Sequence, residues 1–186
     1  VAIAVLPHAT HSVRLARAAN DAGKEVMLHL PMQAIDARED PGPGALELDQ
    51  TRGEFAAAFA ADLAAVPFVR GVNNHMGSLL TRHPGNMGWL MEELRARGSL
   101  FFVDSYTTAQ SVGLMIAREN GVPALRRDVF LDGELSATAI AAEWQRLLAM
   151  ARRRGSAIAI GHPHPATLAL LERELATLSS EGVELV

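Results

Sequence analysis

At 186 residues, 49% hydrophobic and 20% charged, the chain is long enough to bury a sizeable core within one globular domain, read here as spanning residues 1–186. A net charge of -4 and a pI near 6.0 offer no basic field for nucleic acid, and the lack of cysteine excludes disulfides and thiolate metal sites. No apolar run approaches the roughly 20 residues needed to span a bilayer.

The chain opens at Val1 inside a strand-like run near residues 2–6, with no initiator Met, which predicts a piece trimmed from a longer protein. A helix follows over 10–22, with Val13, Leu15, Ala16 and Ala19 at mixed three- and four-residue spacing. A strand near 25–30 delivers His29, and "REDPGPGALELD" (38–49) reads as a long βα loop with two Pro-Gly steps. Thr51 and Glu54 have the spacing of a capping box for a helix over 52–65. A third strand near 69–74 runs into "GVNNHMGS", followed by a helix over 85–97. Next come a strand near 99–103 ending at Asp104-Ser105, and a helix over 108–119. A strand near 127–131 brings Asp128 or Asp132 to the same end. Ser136 then starts a helix over 136–154, which ends in Arg152-Arg153-Arg154, where cations complement the helix dipole. A strand near 156–160 leads to "GHPHP", with Pro165 in the first turn of a helix over 164–180 and Thr167 near its start, and a strand is expected at 183–186.

Glycines 23, 98, 155 and 182 mark the helix ends. The apolar runs are continuous rather than alternating, as in parallel strands buried on both faces. Alternating β and α elements predict an α/β fold with a parallel sheet. About seven strands and no Gly-rich phosphate loop favour a deformed (β/α) barrel over an open doubly wound sheet.

The polar residues collect where strands end: His29, then Asn73-Asn74-His75, then Asp104-Ser105, then Asp128 or Asp132, then His162 with His164. In a parallel barrel those carboxyl ends form the reactive face. Converging imidazoles and carboxylates suit a divalent metal with an open coordination position, or metal-free acid–base work by a His–Asp pair. No G-x-S-x-G elbow and no cysteine argue against nucleophilic triads. His8, His11 and His83 lie in loops or at helix starts and read as solvated. Arg126-Arg127-Asp128 reads either as an ion pair that steers a carboxylate or as a surface pair.

"EVMLHLPM", "GVNNHMGS", "FFVDS", "RRDVFLD" and "AIAIGHPHP", in this order and spacing, resemble the divergent polysaccharide deacetylase family, the YibQ-like branch of the NodB-type carbohydrate esterases. The resemblance implies a bacterial, exported or envelope-associated protein with a deformed barrel. It also implies a divalent ion, usually zinc, held by an Asp and two His, and a carbohydrate substrate that loses acetyl groups from N-acetylated amino sugars. By position it makes His29 a metal ligand, with Gln33 where a second metal His would fall and His75 supplying the second imidazole. His162 becomes the catalytic acid and Asp104 the group that orients or charge-balances a histidine. Asn73 and Asn74 are expected to bond sugar hydroxyls or the developing oxyanion, and Arg127, Asp128 and His164 complete the expected substrate-binding set. An Asp-Asp pair, base and carboxylate ligand, is expected on a first strand preceding "VAIAVLP".

Gln33 and an aromatic content of only 5%, with Trp89, Trp144 and Tyr106 on hand for sugar stacking, leave an alternative. It is a catalytically silent envelope domain that binds glycan or a protein partner. A metal-free lyase or isomerase using His75 and Asp104 is a third reading.

Overall fold

The computed structural model describes residues 1–186, which form two compact units, Val1–Arg126 and Arg127–Val186. In the first unit, strands β1 (Ile3–Val5), β2 (Val26–Met32), β3 (Val69–Met76), β4 (Phe101–Asp104) and β5 (Ala124–Arg126) form one parallel sheet in the order β1-β2-β3-β4-β5. Helices α1 (Ser12–Asp21), α2 (Arg52–Ala65), α3 (Pro84–Ala96) and α4 (Gly113–Glu119) make the crossovers. Each strand pairs with its neighbour in the chain.

Leu28, Leu30, Val72 and Phe102 share one face of the sheet, by register and two-residue spacing, and are fully buried. Phe55 and Phe59 of α2, with Leu90 and Leu94 of α3, pack into the same core. Thr51 and Glu54 form the reciprocal capping box that starts α2. At Gly71 the Phe101 ring lies against the backbone, where an added Cβ would be 2.3 Å from the ring. A larger residue there would have to displace the Phe101 ring.

In the second unit, β6 (Val129–Phe130) and β7 (Ala159–Ile160) form a two-stranded parallel sheet, with helices α5 (Ala137–Arg154) and α6 (Pro165–Leu175). Val129, Leu131, Ile140, Trp144, Leu148 and Leu170 make its core. Ser136 caps α5 by accepting from the Ala139 N–H, and Gly155 ends it in the left-handed region at φ 86°.

The strands depart from expectation in two places. A five-stranded and a two-stranded sheet take the place of one seven-stranded set. The strand expected near 127–131 becomes two short ones, Ala124–Arg126 and Val129–Phe130; between them the Asp128 carboxylate accepts from Arg154 and the Ile158 N–H, while its backbone N–H donates to the Ile158 carbonyl. Residues 183–186 form no strand, their side chains lying mostly exposed with Glu184 among them. The helix expected over 108–119 starts only at Gly113, because residues 105–111 are taken up in turns.

Candidate functional site

Cross-strand register builds the first cluster. His29 on β2 is paired with Asn73 on β3, and His75 lies two residues further along the same face. Asn73 is buried, and its Nδ2 donates to Ser105 Oγ at 3.1 Å, which turns its carbonyl oxygen Oδ1 toward His29 Nδ1, also at 3.1 Å. The amide therefore accepts the His29 Nδ1 proton and leaves the Nε2 lone pair directed away from it. That Nε2 lies 3.0 Å from Nδ1 of His75, with the two rings edge to face. Two nitrogens at this spacing share either a proton or an ion: bonds of about 2.0–2.1 Å to a common ion would subtend about 95°.

Asn74 points the other way and is almost fully buried. Its oxygen accepts from the Ser105 N–H at 2.8 Å and its Nδ2 donates to the Met76 carbonyl at 2.7 Å. Both asparagines thus serve the protein itself. These bonds give both asparagines a positioning role beside the sugar-contacting one expected of them.

Asp104, expected to orient or charge-balance a histidine, accepts from the turn that follows β4. One oxygen accepts from the Tyr106 N–H at 2.8 Å; the other accepts from Ser111 Oγ at 2.7 Å and the Leu114 N–H at 3.4 Å. Asp104 folds the turn that leads into α4. The turn holds Tyr106 at φ 51°, with the Arg126 guanidinium 4.2 Å from its ring centre.

Gln33, where a second metal imidazole would fall, is a bracket. Its backbone carbonyl accepts from the Leu79 and Leu80 N–H groups, and its side-chain oxygen accepts from the Leu48 N–H at 2.9 Å. It ties the end of β2 to the 38–49 loop.

One titratable pair escaped the sequence reading. His8, expected to be solvated, bonds through Nε2 to Oδ1 of Asp62 at 2.8 Å, and the Asp62 side chain is fully buried. The second Asp62 oxygen has no partner. Burial pushes the Asp62 carboxyl up to about 6, partly opposed by the hydrogen bond and charge of His8. A signal was available: Asp62 continues the buried stripe of Phe55 and Phe59 on α2, where a carboxylate needs a partner. Gly44, at φ 86°, closes over it so tightly that a Cβ there would lie 2.1 Å from Oδ1.

In the second unit, buried Asp132 organises "GHPHP". Its Oδ2 accepts from the His162 N–H and, at 3.0 Å, from Thr167 Oγ1, while Oδ1 faces His162 Nδ1 at 3.1 Å. Asp132, His162 and His164 each present a ligating atom within 4.8 Å of the others'. Asp132, rather than Asp128, is thus the acidic partner at this strand end. Asp128, expected in the substrate-binding set, accepts from Arg154 at 3.2 Å and from the Ile158 N–H at 3.0 Å, stapling the end of α5 to the start of β6. The Arg127 guanidinium lies over the Phe130 ring at 4.9 Å, and that ring meets the His162 imidazole edge to face.

The sequence model of the divergent polysaccharide deacetylases matches residues 1–186. The chain belongs to that family. It is 35% identical over 173 residues to "Uncharacterized protein YibQ" of Escherichia coli (strain K12), covering 93% of this chain and 54% of that protein. An uncharacterized protein of Haemophilus influenzae is 35% identical over all 186 residues, which cover 65% of it. The chain therefore spans between about half and two thirds of the length of these relatives. The crystal structure of uncharacterized protein ATU2773 from Agrobacterium tumefaciens C58 matches with a TM-score of 0.95 at 24% identity, over 100% of this chain and 76% of that one. A lactam utilization protein from Thermus thermophilus matches with a TM-score of 0.61 at 19% identity, over 92% and 80%. At such identities the two structures establish the α/β fold alone.

Proposed function

We propose that this divergent polysaccharide deacetylase domain is the hydrolytic part of an envelope-associated enzyme that removes acetyl groups from N-acetylated amino sugars. We propose too that its sequential parallel sheet is part of the family's deformed barrel. The observation that carries the functional reading is the 3.0 Å approach of His29 Nε2 to His75 Nδ1, with Asn73 holding the His29 Nδ1 proton.

That donor set suits a divalent ion, zinc by preference: two imidazole nitrogens at a strand end, one already fixed in the ligating tautomer. When bound, such an ion polarises an amide carbonyl and lowers the pKa of water to about 7. The protein's own part is positional. Asn73 keeps Nε2 of His29 unprotonated. His75 would offer Nδ1 to the same point once that nitrogen carries no proton. Asn74 and Ser105 fasten the ends of β3 and β4 and keep the imidazoles in place. His162 is the proton donor the resemblance implies for the departing amine, and Asp132 fixes its orientation. Localisation in the envelope rests on the family resemblance.

Full-length protein tests the reading through metal content and acetate release from N-acetylated oligosaccharides. Bound zinc with acetate release, both lost in His29→Ala and His75→Ala, is the expected result. Bound zinc with no acetate from any such substrate would favour a binding domain. Two observations favour that second reading: Gln33 is committed to structure, and both tryptophans are occupied in packing, Trp89 against Phe55 and Trp144 in a core.

A further inference from the structure

We infer that Asp132, His162 and His164, all within the second unit, form a divalent-cation site of their own. The three side chains offer one carboxylate oxygen and two imidazole nitrogens within 4.8 Å of one another. Bonds of about 2.0–2.2 Å need ligand separations of about 3–3.6 Å, so closure takes shifts of about 1 Å. Two of the three ligands can make that shift, because the His162 and His164 side chains are partly exposed. The third is rigid: Asp132 is 5% exposed, and its Oδ2 is held by the His162 N–H and Thr167. Its Oδ1 is left to face the imidazole, with His162 Nδ1 already 3.1 Å away.

The backbone supplies the third corner. The His164 N–H donates to the His162 carbonyl at 2.8 Å, a tight bend that puts the two rings 5.9 Å apart, centre to centre. In the metal-free protein a proton lies between His162 Nδ1 and Asp132. A cation takes its place, and the proton passes to solvent.

Two nearby positive fields limit the affinity. The N-terminus of α6 begins at Pro165, and the Arg127 guanidinium stacks on Phe130, which in turn touches His162. This site therefore fills at higher metal concentration than the His29–His75 pair. Resting on the hydrolase reading, one consequence follows: a cation here removes His162 from proton transfer, so excess metal inhibits.

Calorimetric titration of Zn2+ into metal-free full-length protein tests the inference, alongside His164→Ala and His75→Ala variants checked for folding by circular dichroism. Expected are two binding events, the weaker lost in His164→Ala and retained in His75→Ala. His164→Gln gives the same answer should the alanine variant misfold. Co2+ provides a second readout, broadening the His162 and His164 imidazole resonances at the weaker event. A single event that survives His164→Ala, or cobalt that leaves both imidazoles unchanged, overturns the inference. Two events with the expected variant pattern but no acetate release support the cation site while sinking the hydrolase.

Discussion

Nε2 of His29 and Nδ1 of His75 lie 3.0 Å apart on adjacent parallel strands, and the carbonyl of Asn73 fixes which His29 nitrogen carries the proton. If that amide sets the ligating tautomer, its removal weakens metal binding without removing a ligand. Asn73→Leu is expected to lower zinc affinity about 10–100-fold, the usual loss when the hydrogen-bond partner of a ligating histidine is removed. His29→Ala or His75→Ala should abolish tight binding. Competition with a chromogenic chelator measures all three, and an Asn73→Leu affinity equal to the parent's would show that the tautomer is not set there.

Gln33 stands where a metal imidazole would fall, and its bonds commit the position to structure. Its side-chain oxygen accepts from the Leu48 N–H, a bond an imidazole at that position would not reproduce. Gln33→His should leave zinc affinity no higher. Loss of one such bond costs about 1 kcal/mol, so amide exchange in the 38–49 loop should speed up about fivefold. Hydrogen exchange followed by mass spectrometry reads the change, and unaltered exchange at Leu48 would refute the bracket.

What the sequence revealed was whatever repeats locally. Gly155 ends α5, Ser136 starts it, Thr51 and Glu54 box α2, and the β/α alternation carries the parallel sheet. The strand ends identified His29, His75 and His162 as candidates because imidazole is poor core material. Some partners were not legible because they lie 30 or more positions away, as between Asp132 and His162. Asp104 and Asp128 look catalytic in a linear reading, yet their oxygens are used by neighbouring backbone and side-chain donors. Asp62 was hidden by the opposite effect, as one carboxylate in an alanine-rich helix whose partner, His8, lies 54 residues away.

The Asp62 carboxyl, raised from 3.8 to about 6 by burial, ties stability to pH. A folded pKa above the unfolded one means the fold prefers the protonated form. The contribution is complete below about pH 4 and disappears as pH rises through about 6. The full shift is worth about 3 kcal/mol. Urea unfolding at about pH 4.5 and about pH 7.5 should therefore show a decline in the parent that shrinks by about 1–3 kcal/mol in Asp62→Asn. A variant whose stability falls just as steeply would place the pH dependence elsewhere.

Asp104→Ala separates a structural carboxylate from a catalytic one. Three donors lose their acceptor: the Tyr106 N–H, Ser111 and the Leu114 N–H. Leaving buried donors unpaired costs about 1–3 kcal/mol. Thermal unfolding should show that loss, together with weaker protection of α4 in hydrogen exchange. A variant as stable as the parent would return Asp104 to the list of groups held for chemistry.

The contact between Gly71 and Phe101 places β3 against β4, and with it Asn73 against Ser105. A methyl group at position 71 would lie 2.3 Å from the Phe101 ring, well inside any real carbon–carbon contact, so the ring or the strand must move. Overpacking of this kind costs about 1–3 kcal/mol. Gly71→Ala should lower the unfolding free energy by that amount, and Phe101→Leu should cost stability on its own by leaving space. Because the two sites touch, their effects should not add: the double variant should be more stable than the sum of the single losses by about 0.5–3 kcal/mol. A double-mutant cycle in urea measures the coupling, and strict additivity would mean that the strands are spaced by something other than this ring on this glycine.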